Sequence, residues 1–487
     1  MTNQKVFANT GKWNQKQRKE WARRLKADDA GLEVVHRDAA GIDVGNEMHY
    51  VAVPPDRDAN AVQSFGCFTE DLRRMAQWLK QCGIRTVAMQ STGVYWIPVY
   101  DMLEAEGLEV YLVNARHTKN LPGRKSDVQE SQWLMKLHTY GLLNNSYRPP
   151  SQVLVLRAYW RQRAEHVQGA AQSIQRMQKV LTEMNLQLAN VISDISGVTG
   201  QAIIRAILAG ERDPHELAKL RDFRIKASPE QIAKSLEGNW RRELLFLLGQ
   251  HVEMLDAYQR RIAECDRELE AELKNWAARE SGQQNPAAET VAGVERKEPE
   301  SKARGRKNKK KSTANAPRFD LGSELQRING VDLTKIDGIH VMAAQTVLSE
   351  VGYDLSRWKT EAHFVSWLGL CPNNEISGGR VLKRRTRHVV HPLATALRLA
   401  AWGLFRSQSY LGAQYRRLRT RLGAPKAITA MAAKLARLIY RMLKFGEEYV
   451  DKGMQYYEQK YRAQQIQFVQ KKAAQLGLQV VEYKATA

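Results

Sequence analysis

The chain has 487 residues, with 75 Lys and Arg against 52 Asp and Glu, a formal net charge of +23 and 43% hydrophobic residues. That is room for roughly three domains with real cores, and the charge points to a polyanion, most simply nucleic acid. No run of about 18 apolar residues and no signal-peptide pattern is found, and the four cysteines form no CxxC pair, so membrane spans, zinc fingers and disulfide scaffolds are not expected and a cytoplasmic location is.

Residues 1–37 form a basic arm with Trp13 and Trp21 among its cations, read either as a nucleic-acid-binding segment with aromatic stacking or as a solvated amphipathic helix. Residues 38–148 alternate strands and helices. Ala39–Val44 reads as a buried strand, and His49–Val53 as its hairpin partner after the Gly45-Asn46 turn. A helix is expected over Thr69–Gln81 with Thr69 as N-cap, then a strand over Thr86–Gln90, a helix over Val94–Glu106 and a strand over Glu109–Asn114. This order implies a mixed sheet flanked by helices.

The next helix, Ser126–Tyr140, carries the chemistry. Ser126 reads as N-cap, with Gln129 completing a capping box. Asp127 and Glu130 share one face of the first turn, where the helix dipole favours acids. Trp133, Leu134 and Leu137 are the expected buried side. Two adjacent carboxylates repel unless a cation lies between them, and oxygen ligands suit Mg2+; an ordinary acidic first turn is the plain alternative. Ligands bind beyond the carboxyl ends of strands in such sheets. Asp43 and Gln90 stand there, so the acidic helix tip can help them hold a divalent metal against a phosphate.

Residues 149–277 read as a coiled coil with a helical insertion at 196–238. Val153, Leu156, Trp160, Ala164, Val167, Ala171, Ile174, Met177, Leu181, Met184, Leu188 and Val191 alternate steps of three and four. The second stretch, about 239–276, either packs back as a hairpin or belongs to an association surface. Residues 278–325 lose apolar content and contain Arg304-Gly305-Arg306-Lys307-Asn308-Lys309-Lys310-Lys311, as a disordered basic linker does. Residues 326–455 read as a second, mostly helical unit, followed by a helical tail at 456–487. Ile336-Asp337-Gly338-Ile339-His340 resembles a helix-hairpin-helix turn able to hold a phosphate. Ser377 precedes Gly378-Gly379 and is followed by Arg380, Lys383, Arg384, Arg385 and Arg387. This reads as a flexible loop, or as a hydroxyl presented among cations that hold phosphates.

Five short segments in fixed order carry a family resemblance: Gly41-Ile42-Asp43-Val44-Gly45, Gln90-Ser91-Thr92-Gly93-Val94-Tyr95-Trp96, Asn114-Ala115-Arg116-His117, Gly123-Arg124-Lys125-Ser126-Asp127 and Ser377-Gly378-Gly379-Arg380. The chain resembles the IS-one-ten family of bacterial insertion-sequence transposases, the bridge-RNA-guided recombinases. The resemblance implies an α/β RuvC-like (RNase H-like) domain with a four-carboxylate metal site, a coiled coil, and a mostly α-helical C-terminal domain with a nucleophilic serine. Carried over by position, Ser377 is the nucleophile and Asp43, Asp127 and Glu130 are ligands of Mg2+ or Mn2+. Gln90 stands where the family has its second acid, and Glu130 where it usually has aspartate; a neutral amide binds Mg2+ more weakly. Arg124, Lys125, Arg380, Lys383, Arg384, Arg385 and Arg387 are the expected nucleic-acid contacts. The implied partners are a guide RNA, donor and target DNA, and further copies of the chain, as a dimer of dimers at the nucleoid. A metal-dependent junction nuclease without a covalent intermediate, or a binding protein weakened by Gln90, are the alternatives.

Overall fold

Short apolar runs in the first third of the chain pair into one five-stranded sheet. The computed structural model describes residues 33–91, 93–114, 126–276, 315–383, 385–387, 389–446 and 449–481. The expectations for residues 1–32, for Arg124, Lys125 and Arg384, and for the linker through residue 314 lie outside the described residues. The chain divides into two units, Met1–Arg148 and Pro149–Ala487.

In the first unit, β1 (Ala39–Val44), β2 (Met48–Ala52) and β3 (Val62–Gly66) form an antiparallel meander. β4 (Thr86–Gln90) and β5 (Glu109–Val113) extend it in parallel, giving the order β3-β2-β1-β4-β5. Two crossover helices, α1 (Thr69–Gln81) and α2 (Trp96–Ala105), precede β4 and β5. Strand parity then sorts the side chains. Ala40, Ile42 and Val44 join one core with Leu72, Met75, Leu79, Val99 and Leu103. Gly41 and Asp43 fall on the opposite face, where α3 (Asp127–Thr139) packs.

Three local expectations are corrected. β3 was not anticipated, because only Phe65 of its five residues is buried and the alternation is weak. Thr69 is the first residue of α1 rather than its cap; the N-cap is Phe68, whose side chain makes no capping bond. The buried stripe of α3 is Ser131, Leu134, Met135 and His138, whereas Trp133 and Leu137 are only half-buried. Gly41 explains that rotation. A Cβ there would lie 2.3 Å from both Ser131 O and Met135 N, so the helix backbone rests directly on β1 with the small Ser131 at the contact. At the other end of α3, His138 is fully buried, 2.8 Å from Thr86 Oγ1, and stacks on His36 at 4.7 Å.

In the second unit, α4 (Ser151–Glu183) and α8 (Arg242–Asn275) form an antiparallel helical hairpin. Arg163 pairs with Asp266 at 2.5 Å near one end, and Asn239 N donates to Met184 O at 2.9 Å near the other. The first helix is shorter than its apolar pattern, which runs on to Val191; the backbone turns left-handed at Asn185 (φ 56). Val153, Leu156, Trp160, Met177 and Leu181 are buried as expected. Mid-helix the seam shifts: Arg163, Ala170 and Ser173 are buried, and Ala164 and Ala171 are exposed. A straight helix of 3.6 residues per turn drifts from a 3.5-residue repeat, and here the drift moves the seam by one position. Between the two long helices, α5 (Val198–Leu208), α6 (Pro214–Lys219) and α7 (Pro229–Ser235) bury Ile203, Ile207, Leu217 and Ile232 against Met177, Leu181, Leu248 and Val252.

The remainder is helical apart from one hairpin: α9 (Leu321–Asn329), α10 (Val341–Val351), α11 (Glu361–Trp367), β6 (Glu375–Ser377), β7 (Arg380–Lys383), α12 (Pro392–Gly403), α13 (Tyr410–Leu422), α14 (Ala424–Phe445) and α15 (Gly453–Gln475). The turn before α10 is not an open phosphate cradle. A Cβ at Gly338 would lie 2.9 Å from Ala400 O, and Asp337 accepts a hydrogen bond from the Ser407 hydroxyl. The turn is packed and already holds an acid. Among the described residues, no helix is long and apolar enough to cross a membrane.

Candidate functional site

In the first unit the acidic residues come from two elements. Asp43 lies near the carboxyl end of β1, on the α3 face, and Gln90 ends the neighbouring parallel strand β4, whose Met89 is in register with Ile42. Ser126 caps α3, accepting from Gln129 N at 3.4 Å, so that Asp127 and Glu130 fall in the first turn. The contact at Gly41 lowers that turn onto the sheet.

The electrostatics show the result. The carboxyl of Asp43 is pushed from its ordinary value of 3.8 up to about 6, first by burial, then by the charge of Glu130 and then by that of Asp127. Asp43 therefore feels the charges of two acids from a distant part of the sequence. Gln90, only 4% exposed, donates its Nε2–H to Glu130 Oε1. An amide rather than a fourth acid thus faces Glu130 and donates to its carboxylate.

A divalent cation bound there would offset the two acidic charges that, after burial, raise Asp43. Among the described residues, no group of three or more His, Cys, Asp or Glu side chains is placed to hold a metal ion. Gly41 was missed as a functional position when the sequence was read. Its signal is a glycine inside a buried strand, which marks close backbone approach.

In the second unit, Ser377 ends β6 and pairs in register with Arg380 of β7. Gly378 (φ 55) and Gly379 (φ 75) are both left-handed, as a two-residue type I′ hairpin turn requires. The Ser-Gly-Gly sequence is thus a tight turn and not a flexible loop. Cross-strand pairing puts Ser377 and Arg380 side by side, and both are exposed. Ile376 and Leu382 are 64% and 65% exposed, so the hairpin offers an apolar surface around the serine.

The cations near it are not equivalent. Lys383 and Arg385 pair with Glu375 at 3.0 and 3.1 Å, and Arg387 donates to Ser366 O. Among the described residues Arg380 makes no ion pair, and it stands across the turn from Ser377.

Two family models match the chain. A transposase model of the IS110 DEDD type covers residues 40–186, and that of the transposase IS116/IS110/IS902 family covers residues 332–416. A search of the curated proteins found no match. The DEDD-type match implies a RuvC-like fold, with which the mixed five-stranded sheet agrees. Asp43, Gln90, Asp127 and Glu130 fall inside the first match and the Ser377 hairpin inside the second, so over these two segments the chain is similar to the IS110 family of transposases, proteins of DNA transposition.

Proposed function

We propose that this chain is an RNA-guided DNA recombinase that cuts and rejoins DNA through Ser377, assisted by a divalent metal at Asp43, Asp127 and Glu130. The observation that supports the reading is the placement of Asp43 near the end of β1, under the α3 tip that carries Asp127 and Glu130, where burial first and those two charges second raise its carboxyl. Asp43, Asp127 and Glu130 would hold Mg2+ or Mn2+, with the Gln90 amide as a neutral fourth group. Bound there, the ion supplies neutralisation of charge on the transferring phosphoryl group.

The chain's own contribution is the nucleophile and its setting. Ser377 Oγ attacks phosphorus of a DNA phosphodiester; an O–P bond forms to the serine and the strand's P–O bond breaks. The hydroxyl proton is balanced by the one gained at the leaving oxygen. Arg380, its cross-strand neighbour, balances phosphate charge at the turn. Rejoining reverses these steps with a different strand end. The exposed Ile376 and Leu382 suit a hairpin that docks in an assembly, as a site shared between protomers of a dimer of dimers requires. Guide RNA would supply sequence recognition by pairing with donor and target, leaving the protein to grip backbone.

The test is to purify the chain with its RNA, add candidate DNA and Mg2+, and look for a covalent protein–DNA adduct. The adduct should form with the native chain and disappear in Ser377→Ala. An adduct that persists in Ser377→Ala refutes the serine role, and nicking without any adduct replaces this reading with a metal-dependent nuclease. The hydrogen bond from Gln90 to Glu130 favours a second reading, a binding protein of weakened catalysis; strand exchange that stays undetectable in Gln90→Glu supports it.

A further inference from the structure

Where α13, α14 and the start of α15 meet, they leave a cleft of about 410 Å3 lined by Tyr410, Lys434, Tyr449, Lys452, Tyr456 and Lys460. Arg441 also lines it but is engaged by Glu361 at 2.6 Å. The nearby acid Asp451 accepts from Tyr410 N at 3.0 Å and from Gly453 N at 3.2 Å, serving as a local cap. No described carboxylate forms an ion pair with Lys434, Lys452 or Lys460.

Lys434 is half-buried, and its ammonium is pushed below its ordinary range by burial and then by Arg441, Arg437 and Lys460, with only Glu361 opposing. A half-buried cation ringed by other cations is favoured by an anion bound beside it. The aromatic rings form the second half of the feature. Tyr410 and Tyr456 stand 6.3 Å apart, Lys452 lies 5.1 Å over Tyr456, and Arg417 lies 3.5 Å over Tyr461 one turn further along α15. Tyr456, Lys452 and Lys460 are exposed. A groove of cations beside accessible aromatic faces is the arrangement that tracks single strands.

We infer that this cleft seats the sugar–phosphate backbone of an unpaired nucleic-acid strand, a phosphate meeting Lys434 and Lys460 and a base stacking on Tyr456. Nothing in this assignment depends on the serine chemistry, so it is tested on the full Ser377→Ala chain in EDTA. The probes are short fluorescent strands of unpaired RNA, unpaired DNA, abasic DNA and duplex DNA, followed by anisotropy over a range of salt. Lys460→Gln should weaken binding of the unpaired strands several-fold and lower the slope of log affinity against log salt by about 0.7. Tyr456→Ala should weaken binding of strands with bases about tenfold and leave the abasic strand unchanged. Lys434→Arg should bind as the parent, and Lys434→Gln should resemble Lys460→Gln. Whether RNA or DNA suffers more identifies the strand the cleft serves. Unchanged affinity and salt slope in Lys460→Gln and Tyr456→Ala, both at exposed positions that leave the fold intact, would overturn the assignment. So would a loss confined to duplex DNA.

Discussion

Replacing Gln90 by Glu tests the whole acidic pocket. Gln90 is 4% exposed and donates to Glu130. The substitution removes a hydrogen bond to a charged group, worth about 1.5–3 kcal/mol. It also sets a second carboxylate at hydrogen-bonding distance, where two charges about 3 Å apart repel by roughly 5 kcal/mol at an effective dielectric of about 20. One of the pair takes up a proton instead, and keeping a carboxyl protonated at neutral pH limits that penalty to about 4 kcal/mol. Relaxation and water reduce the sum, so a metal-free loss of about 3 kcal/mol is expected, or about 10 °C in the melting of a unit of this size. The assay is thermal unfolding of parent and Gln90→Glu, in EDTA and in excess Mg2+. The variant should melt well below the parent in EDTA and recover most of the difference in Mg2+, because an ion bound only by the folded state stabilises by about 2.7 kcal/mol at a hundredfold excess over its Kd. A variant that melts with the parent in EDTA and shifts equally with Mg2+ would refute the idea that these four positions share one pocket.

Gly41→Ala should separate α3 from β1, since the added Cβ meets helix backbone at 2.3 Å. Loss of several kcal/mol of stability is expected from overpacking of this kind, read by urea unfolding, together with loss of the Mg2+ response. His138 is fully buried, and burial followed by the charge of His36 pushes it down to about 4 from its ordinary 6.5. The unfolded chain therefore takes up a proton that the native imidazole does not. Stability is full above pH 6.5 and is lost as pH falls toward 4, by about 3 kcal/mol in all. A His138→Phe chain should show a flatter decline in that window, measured by unfolding at stepped pH. Gly378→Ala should distort the turn that presents Ser377, because φ 55 costs a residue with a Cβ roughly 1 kcal/mol. Adduct formation should fall while binding of DNA is retained; an unaltered adduct yield would separate the turn from the chemistry.

Much of the first unit was legible because its signals are local. Ala39–Val44 and Thr86–Gln90 are short apolar runs, and their bounds coincide with β1 and β4. Ser126 with Gln129 marks a helix start by capping alone, and the bond forms. Two left-handed residues in a row favour Gly, Asn or Asp, so the serine hairpin was available in principle from Ser377-Gly378-Gly379-Arg380, although the same residues read as a loop. β3 escaped because an edge strand with one buried side chain carries almost no periodic signal.

By itself, the order of residues determined which short segments become strands and helices, where the acids stand on α3, and that the chain carries excess positive charge. Only tertiary structure decided which face of α3 is buried, because that follows from the backbone contact at Gly41, a feature of two elements at once. Tertiary structure likewise decided that Gln90 donates to Glu130, that Asp43 holds its proton to about pH 6, and that Glu375 occupies Lys383 and Arg385. Propensities and caps act over a few neighbouring residues, whereas the charge state of a carboxyl depends on whatever the fold brings within a few ångströms of it.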